Sequence, residues 1–204
     1  PIRLHIIKAL GFAVFFLSAS ILPAQSEAPI SIPKLDNAIN FDGRVDEAMW
    51  TNIAPFDMTT HWPDYGAPAF KQTEMRTAYD DTYFYVSAIC YESPDNIQES
   101  TFRRDGNWNL QSDQIAIMLD TYNDNENGIL FVISPSGART DISIRNDFIS
   151  GAFFSESWNS IWEAKIDFFD GGWQAEVRIP FNILRFESVN NLTEMGMILY
   201  RYSA

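Results

Sequence analysis

The nine residues Tyr83–Tyr91, YFYVSAICY, limit the fold more than any other stretch of the chain. Phe84, Val86, Ala88 and Cys90 point to one side of an extended backbone, and Tyr83, Tyr85, Ser87 and Tyr91 to the other. A period of two held that long is a strand signal, and the first set is the predicted core face. The pattern returns in residues 173–179, where Trp173, Ala175, Val177 and Ile179 oppose Gln174, Glu176 and Arg178. Pro180 closes that run because proline has no N–H for a ladder. Glu176 therefore reads as an exposed strand carboxylate, paired with Arg178 or a neighbour.

Residues 106–120, GNWNLQSDQIAIMLD, hold a different kind of strand. Between Asp113 and Asp120 the run is apolar at nearly every step, as in a strand covered on both faces and so central in a sheet. Further strands are predicted at Thr73–Tyr79, 128–134, 138–145, 160–168 and Gly196–Tyr202. The turn residues between them include Asp80-Asp81, Ser134-Pro135-Ser136-Gly137 and Asp170-Gly171-Gly172. Helix is confined to one turn over residues 46–50, with Asp46 as N-cap and Trp50 buried, and a short piece in 181–186. Many short strands with almost no helix predict an all-β, antiparallel β-sandwich of jelly-roll type, with one or two short helical turns.

Residues 1–24 have the order of a secretory signal peptide. Arg3, His5 and Lys8 precede the apolar run 9–17, and small residues lead to an exit after Ala24. The apolar run is too short for a membrane span of about 20 residues. The expected division is signal peptide 1–24, linker 25–34 and sandwich 35–204, truncated at its C-terminal end because the chain stops directly after a strand. The expected location is therefore outside the cytoplasm: periplasm, outer membrane or extracellular space. The net charge of −13 repels nucleic acid and anionic lipid, and loss of Arg3 and Lys8 would make it more negative. Cys90 is the sole cysteine and sits in an apolar strand pattern, which predicts a buried small hydrophobe.

Catalytic signatures are absent: there is no nucleophile elbow, no glycine-rich phosphate loop, and one histidine, His61, beyond the leader. No catalytic residue is assigned, and this domain is not read as an enzyme. Residues 123–128, NDNENG, resemble part of a calcium loop, but the position of its terminal glutamate falls on Ser134. Two readings stay open there: a solvated acidic turn, or a structural Ca²⁺ held with Asp120 and Asp124. The tryptophans are the stronger lead, because an indole stacks on the apolar C–H face of a pyranose while Asn, Asp and Arg reach its hydroxyls. Trp108 lies in a loop with Asn107, Asn109, Arg103, Arg104 and Asp105, close to Asp113. Trp62 is set similarly beside Pro63, Asp64 and Tyr65, whereas Trp50, Trp162 and Trp173 fit core faces. The candidate ligand-binding residues are Trp108, Asn107, Asn109, Arg103, Arg104, Asp113 and Trp62.

A series of motifs then falls in a fixed order: FDGRVDE at 41–47 with Trp50, RTAYDD at 76–81 with YFYV at 83–86, Asp113 to Asp120, and GGW at 171–173 with Glu176 and Ile179-Pro180-Phe181. In that order they resemble family 9 carbohydrate-binding modules, over about residues 35–202. The likeness is greater to the family-9-like domain at the N-terminus of large exported bacterial proteins, ahead of a predicted outer-membrane β-barrel. The resemblance implies a β-sandwich that binds oligo- or polysaccharide without catalysis, in a longer chain linked to polysaccharide breakdown, with calcium in some members. Its pattern departs at two places: Leu110 stands where sugar-binding members carry a tryptophan, and Val132 where they carry an arginine. Two alternatives stay open, a structural plug or cap for a downstream barrel and part of a glycoside hydrolase.

Overall fold

A computed structural model of the chain describes residues 29–37, 39–99, 103–105, 111–145, 154–155, 158–190 and 192–204. The chain divides into two units, Pro1–Ile30 and Ser31–Ala204. The second is an antiparallel β-sandwich, as the strand periodicity predicts. Its strands are β1 (Thr73–Tyr79), β2 (Tyr83–Tyr91), β3 (Gln114–Asp120), β4 (Gly128–Ile133), β5 (Arg139–Ile144), β6 (Phe154–Ser155), β7 (Glu163–Phe169), β8 (Gly172–Pro180) and β9 (Gly196–Tyr202). One sheet has the order β1-β2-β8-β7 and the other β6-β5-β4-β3-β9. The central placement expected for β3 is found, between β4 and β9.

The sandwich interior takes the predicted faces. Phe84, Val86, Ala88 and Cys90 of β2 and Trp173, Ala175, Val177 and Ile179 of β8 pack with Ile115, Ile117 and Leu119 of β3 and Phe131 and Ile133 of β4. Trp162 is wholly buried in the same core, edge-on to Phe131. Burial of so many large side chains, each worth about 1.5–3 kcal/mol, is the main force holding the two sheets face to face.

Two further apolar layers lie outside this core. On the outer face of the four-stranded sheet, Val45 and Trp50 from the segment before β1 pack with Ala78 and Tyr85. That segment explains why Tyr85 and Ser87, on the polar side of β2, are buried. On the outer face of the five-stranded sheet Leu130, Val132, Ile142 and Ile144 form a third cluster, with Ala116 and Met118 packed against it. The helical turn forms at Ala48–Thr51 rather than from Asp46, and Glu47 takes the N-cap position without a side-chain capping bond. The piece expected at 181–186 is a single 3-10 turn, Phe181–Ile183.

Two glycines fix the way the segments meet. Gly43 has φ +97°, and a Cβ there would come within 2.9 Å of the backbone of Lys165 and Ile166. Gly172 has φ +147°, and a Cβ there would lie 2.1 Å from the Cys90 carbonyl oxygen. Both positions need a residue without a side chain because the neighbouring strand backbone fills the space.

Candidate functional site

The loop between the helical turn and β1 presents a group of exposed rings. Trp62 is 82% exposed and Tyr65 85% exposed. His61 stands between Tyr65 and Tyr200 of β9, edge-on to both, with ring centres 6.0 and 6.2 Å away. The loop closes on itself through Thr60 N–H to the Ala67 carbonyl (2.8 Å), Gly66 N–H to the Thr60 carbonyl (2.9 Å) and the Thr60 hydroxyl to the Pro68 carbonyl (2.9 Å). The Trp62–Pro63 peptide is cis. Tyr200 pairs with Ala116, and Ile198 with Met118, so these two β9 side chains continue the rows of the outer sheet face. Tyr200 is 39% exposed. Two residues along β9 from Tyr200, Ile198 borders an open groove of about 410 Å³ that also includes Asp120, Asn125, Glu126 and Asn127. One sheet face thus carries a group of edge-on rings at one end and amide and carboxylate oxygens at the other.

Among the described residues, those named from the sequence lie in different parts of the sandwich. Asn107, Trp108 and Asn109 lie outside the described residues. Arg104 is half-buried beside β5, where its guanidinium binds the Asp141 carboxylate, Asn159 Oδ1 (2.8 Å) and the Ser160 carbonyl (2.9 Å). Arg103 beside it is exposed. Trp62 belongs instead to the β9 edge; β5 and β9 are three strand spacings apart, about 14 Å. Asp113 is wholly buried: its carboxylate accepts the N–H of Gln98 (3.1 Å) and of Ala204 (2.9 Å) and ties two chain segments to the start of β3. Sequence reasoning did not single out Tyr200, which reads there as one more strand aromatic; only the placement of the loop against β9 brings it to His61.

Asp120 and Asp124 organise a hydrogen-bonded turn. Asp120 accepts backbone N–H groups from Tyr122 (3.2 Å), Asp124 (3.2 Å) and Asn125 (2.7 Å). Asp124 accepts those of Glu126 and Asn127, each at 2.8 Å, and the Asn127 side-chain amide at 2.8 Å. The Asn127 bonds hold the Asp124 carboxyl below its ordinary range. No third acidic, histidine or cysteine ligand among the described residues joins this pair. Each carboxylate oxygen of the pair takes at least one hydrogen bond within the turn.

Glu176 departs from its sequence reading. It is wholly buried, not exposed on the strand, and Arg178 pairs with Glu163 instead. Oε2 of Glu176 accepts the N–H groups of Asp42 and Gly43, each at 3.0 Å, and Oε1 accepts the Trp50 indole N–H at 2.9 Å. Alternation placed Glu176 on the outer side of β8, but the segment carrying Asp42, Gly43 and Trp50 returns over that side and buries it. Burial pushes its carboxyl above the ordinary range, the charge of Glu47 adds to this, and the hydrogen bonds from Trp50 and the turn offset part of it.

The fold of two antiparallel sheets is shared with solved family 9 carbohydrate-binding modules. The chain is similar to such a module from Caldicellulosiruptor kristjanssonii in complex with cellotriose: identity 19%, TM-score 0.52, covering 81% of this chain and 72% of that one. The glucose complex of a family 9 module from the same organism gives 19% identity and TM-score 0.54, over 82% and 74% of the two chains. A Bacteroides uniformis protein, named for a conjectured carbohydrate-binding role, gives 13% identity and TM-score 0.62 over 84% and 82%. No protein-family model and no curated protein sequence matches the chain.

Proposed function

We propose that this chain is a non-catalytic carbohydrate-binding domain, and that it belongs to a larger exported protein linked to polysaccharide breakdown. The observation that carries the reading is the group of rings beside β9, with Trp62 and Tyr65 exposed to 82% and 85%. Exposed rings grouped on one surface, unlike single exposed side chains, are the kind of patch that marks a binding site. An oligosaccharide with one pyranose flat on Trp62 or Tyr65 would have to run along β9 to reach the groove at Asn125, Glu126 and Asn127. Each stacked ring contributes about 1–2 kcal/mol, a factor of roughly 5 to 30 in affinity, by analogy with aromatic pairs. The net charge of −13 favours neutral glycans over uronates or sulfated ones. Trp108, with Asn107 and Asn109, is the second candidate platform.

Affinity gel electrophoresis against soluble neutral β-glucans and xylans tests this, with the wild type, Trp62→Ala and Trp108→Ala. Retardation of the wild type that weakens in Trp62→Ala supports the reading. Loss confined to Trp108→Ala moves the site to that loop. A wild type retarded by no glycan overturns sugar binding and favours the plug or cap of a downstream barrel.

A further inference from the structure

A second cavity, of about 480 Å³, opens beside β7, which forms one edge of the four-stranded sheet. It shares no residue with the groove at β9. Three of the chain's 14 basic residues, Arg139, Lys165 and Arg178, line it with a single carboxylate, that of Glu163, although the chain has a net charge of −13. Glu163 pairs with Arg178 in the β7–β8 ladder and Lys165 with Glu176, so all four belong to the outer face of the sheet. Glu163 is committed to Arg178, whose Nε (2.6 Å) and Nη2 both go to its Oε2. Arg178 is also held over the rings of Phe41 and Tyr83, 4.5 and 5.1 Å from their centres. The other two cations have no such counter-charge. Arg139 donates to the Trp162 carbonyl and lies 5.6 Å from the centre of that indole, and neither partner is charged. Glu176, opposite Lys165, is wholly buried, and its oxygens are taken by Asp42, Gly43 and Trp50. Among the described residues no ion pair includes Arg139 or Lys165.

We propose that this cavity binds a carboxylate-bearing sugar, a hexuronate, with Lys165 and Arg139 taking the carboxylate and Phe41 and Ala164 forming the apolar wall beside the sugar ring. A cleft lined by one sign of charge concentrates the opposite ion. The chain's overall negative field does not cancel this, because exposed charges beyond about 8 Å are largely screened at physiological salt and the cavity's own cations are closer than that to anything inside it. Its volume falls in the range of about 300–1,000 Å³ that small-molecule sites occupy, far more than one inorganic ion needs. That the carboxylate sits on a sugar rests on the carbohydrate reading above; that the cavity takes an anion does not. The domain would thus hold an acidic sugar unit at β7, apart from the neutral one at the β9 rings.

Chemical-shift mapping of amide and guanidinium signals tests this, with sodium glucuronate as the probe and glucose, acetate and sulfate as comparators. In the wild type glucuronate should shift the signals of Phe41, Arg139, residues 163–165 and Arg178, and the shifts should shrink as sodium chloride is added. Glucose should leave those signals unmoved, and acetate and sulfate should bind more weakly than glucuronate. Lys165→Gln, at an exposed side chain, should remain folded by circular dichroism and bind glucuronate at least about fivefold more weakly. Arg139→Gln should weaken binding in the same way. Lys34→Gln removes an equal charge at an exposed position paired with Asp81, and should bind as the wild type does. A wild type without these shifts, or a Lys165→Gln protein with wild-type affinity, would overturn the proposal. So would acetate or sulfate binding as tightly as glucuronate, since the cavity would then read charge without the sugar. Glucuronate bound here by a protein that takes no neutral glycan would overturn the ring-group reading alone.

Discussion

Replacing Trp50 by Phe tests how firmly Glu176 anchors the N-terminal segment. Trp50 is 1% exposed, and its indole N–H is one of three donors to a carboxylate with no access to water. Phenylalanine keeps most of the ring but leaves Oε1 of Glu176 unpaired. A hydrogen bond to a buried charged group is worth about 1.5–3 kcal/mol, and the smaller ring gives up roughly 1 kcal/mol of buried apolar surface. The expected loss is about 2.5–4 kcal/mol. In a domain of this length, where each kcal/mol moves the midpoint by about 2–4 °C, this lowers the melting temperature by roughly 5–16 °C. Trp173 supplies the control. It is equally buried, but its indole N–H has no partner, so Trp173→Phe should cost only about 1 kcal/mol. Urea unfolding followed by circular dichroism gives both values. Equal losses in the two variants would refute the argument that the Trp50–Glu176 bond, and not ring volume, holds the segment.

Gly43→Ala should destabilise the fold by at least about 2 kcal/mol, since its φ of +97° and the Lys165–Ile166 backbone at 2.9 Å both oppose a side chain; thermal melting measures this. Burial pushes the Cys90 thiol up to about 12, so a thiol reagent at neutral pH should label it only after denaturant is added, and labelling of the native protein would contradict its burial. The Arg76 hydrogen bond holds the Glu74 carboxyl below its ordinary range, helped by the Tyr91 hydroxyl and opposed by burial. Because its folded value is depressed, Glu74 contributes stability above its unfolded value, and that contribution is lost as the pH falls through the folded one. Glu74→Gln should therefore flatten the acid limb of a stability-versus-pH curve while changing little at the lowest pH.

The strands were legible because the sequence alternates strictly where one sheet face meets the core, as in β2 and β8. The span of β2 agrees to the residue, and Trp50, Trp162 and Trp173 are interior as their positions on apolar faces predict. What alternation cannot reveal is whether a second segment covers the polar side of a strand. That is why Glu176 reads as exposed in sequence and is wholly enclosed in the fold, and why Ser87 is buried too. The aromatic group was half legible. Trp62 announces itself as a loop tryptophan next to proline, but Tyr200 lies more than a hundred residues away and joins it only through the sheet. Asp113 and Arg104 drew notice as polar residues near a loop tryptophan; their partners, Gln98, Ala204 and Asp141, show that they bind backbone and side chains of the fold itself.

The central claim is that a neutral saccharide lies on the rings beside β9. Amide chemical-shift mapping during titration with a neutral oligosaccharide such as cellotriose locates any such contact residue by residue. The account predicts dose-dependent shifts confined to residues 60–67, to Ile198 and Tyr200 with their β3 partners, and to the Trp62 indole N–H. A titration that leaves those signals unmoved, or moves only signals elsewhere in the sandwich, would contradict it.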